Sequence, residues 1–342
     1  MLGGGHGALA TAADLGSRGF EVRLALRNRP RFEALFATRH VRATGVLEAE
    51  ADLALVTTDH GAAVRGADLV LVPLPAFAQE TMADRIASAL EPGQVVCLMP
   101  GTFGAYVVGR RLPGVVVAET ATLPYGARQI GQNEVGTALH AHHLPTGVYP
   151  ARETERALGV IRRVYTQAVP VEDALAAALL NSNGALHAPL MVLNAGPIDR
   201  GPYDIHVDGT TPLVRRVIEA ADGERMAVRQ GFGYTQPHWP LADYYADADW
   251  FYGAGAYSSV QRRSVWREQL AFDHRYIVED VAIGLVLWSA LGRVLALATP
   301  VTDALIEISE ALTGRDFRAE GRTLERLGLA GLTAAEIRER LQ

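Results

Sequence analysis

The chain has 342 residues, enough for two domains, and its 49% hydrophobic and 20% charged residues match a globular protein with a sizeable interior. A formal net charge of −6, with both signs mixed along the chain, leaves no basic footprint for nucleic acid. A single cysteine, Cys97, excludes an intramolecular disulfide and a cysteine-rich zinc site. With no secretory pattern at the N-terminus and no apolar run near the roughly 20 residues that span a bilayer, a cytoplasmic protein with no membrane partner is expected.

The first element is a glycine loop, Gly3-x-Gly5-His6-Gly7-Ala8. In a strand-to-helix turn the first glycine permits the bend and the second lets a pyrophosphate approach the backbone. A small third residue then packs helix on strand. The spacing predicts a helix over Ala8–Arg18 and a strand over Glu21–Leu26, the context a dinucleotide site requires. Only Met1 and Leu2 precede the glycines, so either the true reading frame starts earlier or the strand before the loop is shortened. After the second strand comes Arg27, where an acid would accept the 2′-hydroxyl of NAD; an arginine there favours the 2′-phosphate of NADP, with NAD possible.

Further on, Ala67–Val72, Gln94–Met99 and Gly114–Ala118 read as buried strands, alternating with helical stretches over Pro30–Thr38 and Ala78–Leu90. Strands alternating with helices imply an α/β Rossmann-type domain with a parallel sheet. Cys97 falls inside one of these strands and reads as a packed thiol. His140-Ala-His142-His143 places alternate histidines on one side of an expected strand, but no acid or cysteine completes a ligand set, and no metal is expected.

Near residues 166–171 the pattern changes to helical spacing, which predicts a dinucleotide-binding domain over 1–170 and an all-helical substrate or catalytic domain over 171–342. Helices are expected over Glu172–Ala195, Thr211–Gln230, Ile277–Leu297 and Thr302–Leu312. The stretch from Tyr234 to Phe272, rich in aromatics including Trp239, Tyr244, Tyr245, Trp250, Tyr257 and Trp266, reads equally as a cap or a pocket wall.

Two strings place polar side chains in apolar helical surroundings, where they need partners. Asn183 and His187 are four apart and share a helix face, with Pro189 expected to disturb the helix just beyond. Arg275 and Asp280 are five apart, about 140° on an α-helix, which puts Arg275 before a helix and Asp280 in its first turn. A His–Asp pair fixes the imidazole tautomer and raises its proton affinity, and a nearby arginine offers a forked donor to a carboxylate.

These pieces together resemble the opine dehydrogenase family of the octopine/nopaline type, close to the bacterial N-(1-carboxyethyl)-norvaline dehydrogenases. The matching strings are the glycine loop, Pro75-Ala-Phe, Met99-Pro-Gly-Thr-Phe-Gly104, Glu119-Thr120, Asn181-x-Asn183-x-x-x-His187-x-Pro189, Arg275-Tyr-x-x-Glu279-Asp280 and Asp316-Phe-Arg. The resemblance implies reductive condensation of an amino acid with a 2-oxo acid through an imine, using NAD(P)H. It implies His187 and Asp280 as the catalytic pair, Arg275 on the oxo-acid carboxylate and Asn183 in support. Pro75 and Glu119 join Gly3, Gly5, His6, Gly7, Ala8 and Arg27 at the cofactor, and a homodimer is implied. Relatives commonly carry Asn where His6 stands. Alternative readings are an imine or 2-oxo acid reductase of the same plan, or a non-catalytic NADP-binding sensor. Reductases of that plan usually rely on a lysine, and all 32 basic residues here are arginines.

Overall fold

The computed structural model describes residues 1–262 and 269–342. The chain forms two compact units, the first comprising Met1–Ala178 with Phe251–Gly253 and the second Leu179–Trp250 with Ala254–Gln342.

The first unit is α/β. Its strands are β1 (Arg23–Ala25), β2 (His40–Gly45), β3 (Ala49–Asp52), β4 (Leu55–Thr57), β5 (Leu69–Val72), β6 (Val95–Leu98), β7 (Val116–Thr120), β8 (Tyr125–Gln129), β9 (Glu134–His140), β10 (Leu144–Tyr149) and β11 (Ala168–Pro170). Strands β5, β6 and β7 are parallel, β10 lies antiparallel to β7, and β11 runs parallel to β10. A parallel pair, β1 and β4, stands beside them. Met1–Gly3 joins the two sets: Leu2 donates to Leu71, while Ala25 donates to Met1 and Gly3 to Ala25. Leu2, in an isolated parallel bridge with Ala25, thus stands between the two sets.

Both faces of β6 are buried, as its continuous apolar run requires. Cys97 is packed there, and burial pushes its thiol up to about 12, with Glu119 adding to the effect. A second, four-stranded sheet in the order β3-β2-β9-β8 was not anticipated from sequence. Its strands β2 and β3 are half exposed and polar, so they lack the apolar signature used to find the others.

The helices of this unit are α1 (His6–Ser17), α2 (Glu33–Thr38), α3 (His60–Val64), α4 (Ala76–Ile86), α5 (Gly104–Gly109), α6 (Thr154–Ile161) and α7 (Ala174–Ala178). The expected continuous helix over Glu172–Ala195 is broken. Asn181 turns its side-chain oxygen onto the Asn183 N–H at 3.0 Å, an Asx turn that competes with helical bonding. Thus α7 packs with the sheet as part of the first unit, and helical structure restarts at α8 (Asn183–Leu193).

The second unit holds no strand among the described residues. After α8 come α9 (Ala195–Arg200), α10 (Pro212–Gly231), α11 (Leu241–Tyr245), α12 (Ala256–Arg262) and α13 (Arg275–Val278). A π-helical segment over Asp280–Leu285 follows, then α14 (Val286–Val294) and α15 (Pro300–Thr313). Helix α8 continues through Pro189 rather than stopping there. At its core, the buried Arg225 donates to Asp222 at 2.7 Å and to the Leu179 carbonyl at 2.6 Å, satisfying a charge that burial would otherwise penalise. No helix among the described residues is long and apolar enough to cross a membrane.

Candidate active site

In the first unit the glycine loop leads from Leu2 into α1. Gly3 has a φ of 120°, and a Cβ there would lie 2.7 Å from Leu74 Cδ2, so only glycine fits. Leu74 in turn brings the Pro75 turn beside the loop, Pro75 being the residue that opens α4. In front of Gly5 a Cβ would meet nothing within 4 Å, a space open to an approaching phosphate. No side chain caps α1, and its first turn has no acid. An anion therefore meets the positive end of a 12-residue helix. Gly7 packs against Leu123 and Ala8 is fully buried, as the close helix contact requires.

His6 accepts the Gln129 N–H on Nδ1 at 2.7 Å, which ties the glycine loop to β8 and leaves Nε2 carrying the proton. Gln129 also accepts from Arg31 at 3.2 Å, so one residue links the glycine loop with the segment after β1. Gln129 escaped sequence reasoning because nothing local marks it. Arg27 is exposed and makes no hydrogen bond or ion pair among the described residues, whereas Arg29 stacks on Phe36.

Glu119 departs from its expected part. Its carboxylate is fully buried and accepts the N–H groups of Phe103 at 2.8 Å and Ala105 at 2.7 Å. It shapes the loop after β6 from behind, with Gln79 holding Pro100 O at 3.0 Å, and does not face outward toward a ligand. The histidine string also diverges from expectation. Strand β9 ends at His140, and His142 and His143 both donate their backbone N–H to Phe251.

In the second unit α8 and the α13–π segment bring the four expected residues onto neighbouring elements. His187 Nδ1 lies 2.7 Å from Asp280 Oδ2, both nearly buried. A Cβ on Gly184 would sit 3.2 Å from the Asp280 carbonyl, so a glycine at that turn of α8 lets the two elements close. Arg275 is the first residue of α13, and α-winding gives way to π-winding at Asp280. Such a local change of pitch is common at functional sites. Burial pushes the Asp280 carboxyl up to about 7, and the Arg275 charge opposes the rise. The Asn183 side chain makes no hydrogen bond among the described residues.

Sequence reasoning missed the ring that orients the imidazole. Tyr276 stacks on His187 with centroids 3.8 Å apart and planes at 25°. His206 meets both rings edge-on, 5.7 Å from His187 and 6.0 Å from Tyr276. Tyr276 follows Arg275 directly on α13, but its stacking partner lies on α8, which the string alone does not reveal. Within the aromatic segment, Tyr244 packs against Trp250 and Tyr257, while Tyr252 bonds Thr122 in the first unit at 2.7 Å. Trp266 lies outside the described residues.

Comparison with known proteins matches two family models to the chain. Residues 170–313 match the NAD/NADP octopine/nopaline dehydrogenase alpha-helical domain, and residues 2–143 match the ketopantoate reductase PanE/ApbA family. An opine dehydrogenase of Arthrobacter sp. (strain 1C) is 33% identical over 353 aligned positions, covering 100% of this chain and 98% of the relative. The chain belongs to the opine dehydrogenase family. Members are oxidoreductases acting on CH–NH bonds that use NAD(P)H to condense an amino acid reductively with a 2-oxo acid. Two solved opine dehydrogenases share the fold. Octopine dehydrogenase, solved with NADH and pyruvate, gives a TM-score of 0.72 at 17% identity over 99% of this chain and 97% of that one. Yersinopine dehydrogenase, with NADP+ bound, gives 0.69 at 17% identity over 99% and 97%.

Proposed function

We propose that this opine dehydrogenase condenses a free amino acid with a short 2-oxo acid such as pyruvate, preferring NADPH, and that His187 and Asp280 carry the proton transfers. The observation that carries the reading is the His187–Asp280 contact at 2.7 Å with Arg275 acting on the same carboxyl.

Arg275 grips the oxo-acid carboxylate through two parallel N–H groups. His187 donates Nδ1–H to Asp280, so Nε2 faces the substrates. There it takes a proton from the substrate ammonium and returns one to the hydroxyl that leaves as water. Asp280 fixes that tautomer and stabilises the charged imidazole, and the raised proton affinity of its own carboxyl suits exchange near neutral pH. Tyr276 holds the plane of the ring, and the Asn183 amide is placed to bond a substrate oxygen. When bound, the dinucleotide supplies the hydride that reduces the imine. Gly3, Gly5, Gly7 and Ala8 shape its phosphate cradle, His6 offers Nε2–H, Pro75 borders the loop and Arg27 takes the 2′-phosphate, with Glu119 acting through the loop it shapes.

Norvaline-type apolar amino acids are the first amines to test, given the resemblance to norvaline-using relatives, and a homodimer is the expected assembly. Initial rates of NADPH oxidation over pyruvate, glyoxylate and 2-oxoglutarate crossed with amino acids test the reading. Turnover that requires both partners is expected. Oxidation by an oxo acid alone would make it a carbonyl reductase, and binding without any turnover would make it a sensor.

A further inference from the structure

Condensing an amino acid with an oxo acid brings two carboxylates to the site, and one arginine clamps only one of them bidentately. Arg215, on α10, is another guanidinium, and it makes no hydrogen bond or ion pair among the described residues. It lies 5.2 Å from the ring centroid of Tyr245 and 5.2 Å from that of Tyr257. Among the described residues its Nε is buried without a hydrogen bond, and so is the Tyr245 hydroxyl. The nearest acid along the helix, Glu219, is exposed and forms no ion pair with it among the described residues. Buried donors left unmet cost stability, and two side by side against aromatic walls suit a polar group from outside the chain.

Two bonds set Arg215 at about the level of the imidazole along the helix pair. Asn194, just past α8, donates to Gly209 O ahead of α10 at 3.2 Å, and Arg225 of α10 donates to Leu179 O ahead of α8 at 2.6 Å. The helices are therefore antiparallel, and interpolation sets His187 level with Arg216 and Val217, next to Arg215. From the other side, Tyr257 and Gln261 are four apart on α12 and share a face. Gln261 donates to the His206 carbonyl at 2.6 Å, and the His206 ring lies 5.7 Å from His187.

We propose that Arg215, backed by Tyr245 and Tyr257, binds the α-carboxylate of the amino-acid substrate, leaving Arg275 to the oxo acid. The proposal rests on the condensation reading above. The guanidinium fork would make two charge-assisted bonds to the carboxylate and the Tyr245 hydroxyl a third, while the phenol faces keep the fork in plane.

The test compares Arg215→Met and Arg215→Lys with wild type, using NADPH, pyruvate and either norvaline or butylamine, which lacks only the carboxylate. Arg215→Met should raise KM for norvaline roughly ten- to a hundredfold, as expected for loss of charge-assisted bonds. It should leave KM for pyruvate and for butylamine within about twofold, with Arg215→Lys intermediate in norvaline KM. An unchanged norvaline KM, or an effect on pyruvate instead, would overturn the assignment. Melting temperatures report folding, and Tyr245→Phe, with a smaller rise in norvaline KM, carries the test if Arg215→Met does not fold. Calorimetric titration of norvaline into the NADPH-saturated protein separates the two failures. Binding lost in Arg215→Met without turnover in wild type would keep this site and refute the condensation; no norvaline binding in wild type would refute the site.

Discussion

At the scale of single residues, the account turns on what Asp280 does to His187. Burial has raised the Asp280 carboxyl to about 7 against the opposing Arg275 charge, so the carboxyl keeps its proton up to neutrality and loses it above. In the proposed mechanism the proton delivered to the leaving hydroxyl passes through His187, which this carboxyl holds. Asp280→Asn keeps the shape but removes the negative charge that stabilises the protonated pair. The basic limb of the pH–rate profile should therefore move down by about one unit, with turnover reduced roughly 10²–10⁴-fold. An unchanged limb would place the acid–base group elsewhere. Arg275→Lys keeps the charge and loses the fork, so it should chiefly raise the apparent KM for the oxo acid. Loss of amino-acid affinity alone would show that the two carboxylates had been exchanged. His187, Asp280 and Arg275 were legible from sequence because each is a polar residue in an apolar string. Tyr276 and Gln129 were not, since one stacks on a ring far away in sequence and the other acts through its backbone N–H.

At the scale of elements, the long apolar strands and helices could be read because their periods are strong, whereas β2 and β3 expose half their residues and carry no such signal. The break between α7 and α8 was hidden for a different reason. Both flanks are apolar and helix-forming, and only the Asn181 side chain decides the stop. Glu119 shows the same limit, since a buried acid after a strand suggests a ligand contact until its two backbone donors are seen. In the helical unit, Asp222 ties α10 to the start of α11, accepting from Arg225 and from the Leu241 N–H, each at 2.7 Å. Asp222→Ala would strand the buried Arg225 charge, so unfolding of this unit should lose about 3–5 kcal/mol in urea titration. A loss below about 1 kcal/mol would mean that the Leu179 and Trp239 carbonyls suffice for Arg225.

At the scale of the whole molecule, the α/β half followed by a helical half was visible as a switch of hydrophobic period. The transfer of Phe251–Gly253 to the first unit was not, because it depends on long-range bonds to His142 and His143. Cofactor choice belongs to this scale as well, since it couples the protein to one of two cellular pools. Arg27→Asp should reverse or erase a preference for NADPH worth about one to two decades, read by fluorescence titration of both cofactors. Equal wild-type affinities would return Arg27 to a solvated turn. The most direct measurement of the central claim uses NADPH carrying deuterium at the transferable position, with pyruvate and an amino acid, and mass spectrometry of the product. The account predicts a secondary amine formed from both substrates with loss of water, bearing one deuterium on the former carbonyl carbon, and no labelled product when either substrate is omitted. A deuterated 2-hydroxy acid formed from pyruvate alone would contradict it.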